Sequence, residues 1–271
     1  MRKLLILLLF VTAINAEFLM EKVEVSVSDI QSDGSAHVHE SIKFIMYGEY
    51  ENSLYDSAIS NNKLSYWSNI TKLKDVKMHI DPSVVDVQDF RLRPQPRTKC
   101  NPIQETCHGE LIIDYWAYPT YENETIKPET SLFDVEMYKP RTVRYTLNPK
   151  ALSFTKTSEN NILLEDKVYL VINLPAESVL LDINPQPTGE EIDLPTHVDS
   201  LSWEDIVLVK FSLVFDVEES IDKEVTDFFS NIARNIANML SSEHGLPLVI
   251  LLSLGIGSYL YIVMAKRRGE D

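Results

Sequence analysis

Cysteine and glycine are scarce in this chain of 271 residues, at two and eight respectively, and basic residues are outnumbered, 25 Lys and Arg against 41 Asp and Glu. The shortage of positive charge leaves a formal net charge of −16, and such a surface repels phosphate backbones, so nucleic-acid binding is disfavoured. A Gly-rich phosphate loop, a nucleophile elbow and the 12-residue spacing of an EF-hand are all absent, and no pattern implies a cofactor. The acidic balance suits solubility, high salt, divalent-cation screening or a basic partner.

Long apolar runs are confined to the two ends. Residues 1–16, MRKLLILLLFVTAINA, have a basic start at Arg2 and Lys3, an apolar stretch and small residues at Ala13 and Ala16, the layout of a secretory signal peptide. An uncleaved anchor is the alternative. From Leu246 to Ala265 no residue carries a formal charge, and about 20 such residues cross a bilayer as a helix. Lys266, Arg267 and Arg268 follow at once, which favours the cytoplasmic side for the tail. The expected organisation is a signal peptide (1–16), a transmembrane helix (245–265) and a cytoplasmic tail (266–271), with the N-terminal domain outside the plasma membrane. A buried core helix and a removable lipid-anchor signal are the alternatives for the second apolar run.

On the exported side, Cys100 and Cys107 are expected to form a disulfide across CNPIQETC. Asn69 in NIT and Asn123 in NET fit the acceptor pattern for N-glycosylation.

Between the ends the pattern is mainly β. Val23, Val25 and Val27 alternate with polar residues, an Asp33-Gly34 pair marks a turn, and Ala36, Val38, Ile42, Phe44 and Met46 define the inner face of a returning strand. Further short strands are expected over 84–92, 110–118, 132–138, 142–147, 168–174, 179–183 and 206–215. They predict one or two β-sandwich-like domains, divided as 17–120 and 131–215 with a linker at 121–130. A helix is expected near Leu64, Trp67 and Ile70. In 216–244, Ile221, Val225, Phe228, Phe229, Ile232, Ile236, Met239 and Leu240 recur at helical spacing and predict an amphipathic stem. That stem docks on the domain's own sheet, self-associates through residues 220–240, or lies as an interfacial helix.

DGSAHVHE, residues 33–40, carries the most chemistry. His37 and His39 point the same way on a strand and are the metal-ligand candidates, but Glu40 points to the opposite face, so the triplet does not close on one ion. Further ligands would come from His79, His108 or the cysteines. Glu40 itself lies in register with Val38 and Ile42 on the apolar face. It is expected to be a buried structural acid satisfied by a group such as Arg91, Arg93 or Lys43. The basic strip Arg91, Arg93, Arg97 and Lys99 either docks an acidic partner or neutralises neighbouring carboxylates.

Asp33, Gly34, Ser35, Val38, Glu40, Gly48 and Tyr55 resemble the start of the extracytoplasmic domain in a family of archaeal and bacterial membrane proteins of unknown function. The match covers about forty residues (the stretch VEVSVSDIQ to YDSAI), with Trp203 in a reminiscent closing strand. The resemblance implies a β-sandwich ectodomain with Glu40 as part of the fold pattern, and no activity. The expected function is that of a single-pass, membrane-anchored binding or structural protein of the cell envelope, with membrane or envelope proteins as partners. A metal-dependent hydrolase using Glu40 and nearby histidines is the alternative.

Overall fold

The computed structural model describes residues 17–122, 125–127, 129–139 and 141–218, together with Ser230 and Arg234, which are helical. The expected signal peptide, Asn123, most of the expected stem, and the expected membrane span and tail lie outside the described residues. Among the described residues, no helix is long and apolar enough to cross a membrane. The chain divides into a unit ending at Glu218, which contains every described strand, and a second unit over 219–271.

Alternation builds the first hairpin. Strands β1 (Glu17–Ser28) and β2 (Ala36–Tyr47) pair antiparallel with Val27 opposite Val38 and Val25 opposite Glu40. The turn is set by Asp33, whose Oδ1 accepts from the backbone N and hydroxyl of Ser35, and by Gly34 at φ 83°. Two helices follow, α1 (Glu49–Ala58) and α2 (Leu64–Thr71). Then β3 (Asp86–Asn101) and β4 (Thr106–Tyr118) form a second hairpin. A small ribbon, β5 (Tyr121–Glu122) with β6 (Thr125–Ile126), precedes β7 (Phe133–Lys139) and β8 (Thr142–Leu147). The remaining strands are β9 (Thr155–Lys156), β10 (Ile162–Asn173), β11 (Val179–Asn184), β12 (Thr196–His197), β13 (Ser200–Leu208) and β14 (Ser212–Glu218).

The strands sort into two main sheets. One has the order β13-β10-β1-β2-β4-β3, with β9 beside β10, and the other has the order β12-β11-β14-β8-β7. β1 and β10 run parallel, with Val25 opposite Leu170. Segments 17–120 and 131–215 therefore contribute strands to the same sheet, and one hydrophobic cluster runs from Phe18 to Phe215. The physical reason is that β10 carries alternate buried residues, Val168, Leu170 and Ile172, which extend the face that β1 and β2 already present.

The run expected as one strand over 206–215 is two. A turn at Val209 and Lys210 separates β13 from β14, and each joins a different sheet. Helix α1, not anticipated from periodicity, buries Tyr55 against Phe44 and Trp67 with ring centroids 5.8 and 5.2 Å apart. Gly109 makes room for this packing, because a Cβ there would lie 2.7 Å from the Phe44 ring and 2.8 Å from the Tyr55 ring.

Candidate functional site

The alternation of β2 places Glu40 inside and His37, His39, Ser41 and Lys43 outside, as the sequence predicts. Glu40 is fully buried, and its partners differ from those expected. One carboxylate oxygen accepts from the Tyr115 hydroxyl at 2.5 Å and from the backbone N–H of His79 at 2.9 Å. The other oxygen lies 2.8 Å from His79 Nδ1. Arg93 instead pairs with Asp114 and Lys43 lies 3.5 Å from Glu110, because both point to the outer face that Glu40 avoids. Arg91 is exposed.

Tyr115 reaches Glu40 diagonally across the β2–β4 pair, in which Val38 faces Tyr115 and Glu40 faces Ile113. His79 arrives on the segment between α2 and β3. There its carbonyl accepts from Ser153 N at 2.7 Å, Ile80 bridges Leu152, and its ring lies over Phe154 at 5.1 Å. Burial, followed by the nearby Glu40 carboxylate, pushes the Tyr115 hydroxyl well above the ordinary tyrosine range, so it remains a donor. His79 Nε2 is buried without a hydrogen-bond partner. The cluster ties a crossing segment to the sheet and has no exposed edge, since Glu40, His79 and Tyr115 are each at most 1% exposed.

The other histidines are dispersed. His39 Nδ1 lies 2.7 Å from Asp114, His108 Nδ1 lies 2.7 Å from Glu21, and the His37 ring lies 5.5 Å from Trp116. Among the described residues, no group of three or more His, Cys, Asp or Glu side chains is placed to hold a metal. Asn69 is exposed on α2, while the Thr71 hydroxyl of its triplet is buried and donates to the Trp67 carbonyl.

A cleft of about 610 Å³ opens elsewhere, between α1 and the tip of the β3–β4 hairpin. Cys100 and Cys107 form a disulfide in its wall. Arg97 crosses beside it, with Nε and Nη2 donating to the two oxygens of Asp56 at 2.7 and 2.6 Å, and Nη1 donating to Cys107 Sγ at 3.3 Å. Two members of the basic strip thus neutralise carboxylates, Arg93 at Asp114 and Arg97 at Asp56. Ile103, at the hairpin tip, is 93% exposed. The cleft had no sequence motif; the closest signal was the nearness of Arg97 to the cysteines.

No family model and no curated protein sequence matches the chain. Among solved structures, yeast LTA4 hydrolase in complex with bestatin is similar at a TM-score of 0.29 and 11% identity, over 75% of this chain and 29% of that one. The chain thus spans under a third of that protein's length. The folded domain of LppM from Mycobacterium tuberculosis is similar at a TM-score of 0.20 and 10% identity, over 75% of this chain and 92% of that one. Similarity at this level establishes neither a shared fold nor a shared activity.

Proposed function

We propose that this is an exported protein, held in the plasma membrane by the apolar helix expected over 245–265, whose β domain binds other membrane or envelope proteins. The activity is binding and not catalysis, and the protein takes no nucleic acid and no cofactor. The observation that carries this reading is Ile103, a branched apolar side chain almost wholly in solvent at the tip of a disulfide-closed hairpin beside an open cleft. An exposed apolar anchor on a covalently fixed loop loses little conformational entropy on association, which favours contact with a partner.

Two measurements test it on the full chain in native membranes. Protease added to intact cells should remove the β domain and leave the membrane helix. A photo-crosslinking residue at Ile103 should give one discrete adduct with a membrane or envelope protein, and the same residue at Glu159, exposed in a distant turn, should not. Protection of the β domain from protease, or equal labelling from both positions, would overturn the reading.

A further inference from the structure

We propose that the Cys100–Cys107 disulfide is a thiol-exchange site selective for cationic thiols, entered at Cys100. Two features of the cleft support this, and neither depends on the binding role above. The first is asymmetry between the two sulfurs' surroundings. Cys100 is exposed, whereas Cys107 is 4% exposed and its Sγ accepts a hydrogen bond from Arg97 Nη1. An incoming thiolate reaches Cys100 more readily. Its attack forms a new S–S bond to Cys100 Sγ and breaks the bond to Cys107, whose sulfur leaves with the electron pair as a thiolate. The guanidinium stands where that charge appears, and a stabilised leaving thiolate departs faster. Asp56 is a positioning residue here, because its grip on Nε and Nη2 turns Nη1 toward the sulfur. A second external thiolate then attacks the mixed disulfide at the external sulfur. It leaves as an external disulfide, and Cys100 departs as a thiolate that takes a proton from water. Cys107 likewise takes a proton from water, so two external thiols are oxidised to a disulfide and the protein disulfide is reduced to two thiols.

The second feature is charge. Glu49, Asp56 and Glu105 line the same cleft as Arg97, and Arg97 is already paired with Asp56. The excess of carboxylates repels an anionic thiol and attracts one that carries an ammonium group.

The test uses the full-length protein in membranes, with cysteamine and glutathione as probes at equal thiolate concentration. Mixed disulfides are trapped by acid and mapped by mass spectrometry. Cysteamine is expected on Cys100, forming roughly 10-fold faster than the glutathione adduct at low salt, with the ratio shrinking as salt screens the carboxylates. Arg97→Gln should slow the reaction by about 10-fold and Arg97→Lys should restore most of the rate, an effect a merely structural arginine would not produce. Adducts on Cys107, or equal rates for the two probes in the unmodified protein, would overturn the proposal even where a variant folds poorly. So would an Arg97→Gln rate within about twofold of the parent.

Discussion

The Tyr115 hydroxyl donates to Glu40 across 2.5 Å with both side chains out of solvent, and the same carboxylate takes the backbone N–H and lies beside the ring of His79. A buried carboxylate with three polar partners is held in place by all of them together, and losing one strands the rest. Tyr115→Phe should destabilise the domain by about 1–3 kcal/mol. Glu40→Gln keeps the volume but puts an NH2 group in place of one oxygen, so either the contacts to the Tyr115 hydroxyl and the His79 backbone N–H or the contact to His79 Nδ1 loses its present acceptor, and the change should cost about 1–3 kcal/mol. Urea unfolding followed by tryptophan fluorescence measures both. Values within about 0.5 kcal/mol of the parent would mean that the cluster does not hold the 72–85 segment to the sheet.

Tyrosine ionisation gives a second, independent reading of this core. Tyr55 is pushed up to about 12, chiefly by burial, from the ordinary 10.0. Its folded value is raised, so its contribution to stability is complete below pH 10 and is lost as pH rises through about 12. Tyr115 is shifted in the same direction. Absorbance at 295 nm should therefore show exposed tyrosines such as Tyr50 ionising first, with Tyr55 and Tyr115 ionising only as the domain unfolds in alkali. A single phenolic transition near pH 10 with the fold intact would contradict the burial of both rings.

Asp114 gives the acid side. Burial alone would raise it, but hydrogen bonds from His39 and Arg93 hold it below the ordinary aspartate value of 3.8. A depressed folded value contributes stability that is full above the unfolded value and is lost as pH falls through the folded one. Asp114→Asn should therefore lower Tm at pH 7, with the difference closing below pH 3.8. A difference that persists unchanged into acid would assign the effect to packing and not to charge.

His37 and His39 invite a zinc experiment. His39 is already committed to Asp114, and His37 lies beside Trp116. Zinc bound to a preformed site raises Tm with concentration, by mass action. Micromolar zinc should leave Tm within experimental error in the parent and in the His37→Ala/His39→Ala variant alike. A zinc-dependent rise lost in the double variant would restore the metal-site reading.

Period-two alternation made the β1–β2 hairpin legible, because each buried residue within the two strands is apolar except Glu40. The disulfide was legible because only two cysteines exist. The partners of Glu40 were not, since local pattern reports which face a residue occupies and not what crosses over that face. His79 comes from an irregular segment with no periodicity. Tyr115 was concealed as one more apolar position in the alternating series Leu111, Ile113, Tyr115, Ala117. The parallel pairing of β1 with β10 was equally hidden, because strand order across a long separation leaves no mark in either strand's own pattern. Helix α1 was missed because its buried face includes Glu51 and Asn52, which read as surface residues.

Gly34 separates two causes that sequence alone merges. Gly34 and Gly189 have similar positive φ values, 83° and 78°, so a side chain at either is strained by the backbone. Their surroundings differ. A Cβ at Gly34 would lie 2.1 Å from the carbonyl oxygen of Phe133, where the first hairpin's turn meets the start of β7 in the other sheet, whereas a Cβ at Gly189 would meet nothing within 4 Å. Gly189→Ala should cost only the backbone term, about 1–2 kcal/mol. Gly34→Ala must also push the turn away from β7, and overpacking against backbone adds about 1–3 kcal/mol. The pair of variants, compared by urea unfolding, isolates the contact between the two sheets. If both lose the same stability, the approach of the turn to Phe133 contributes nothing, and Gly34 serves only the geometry of its own turn.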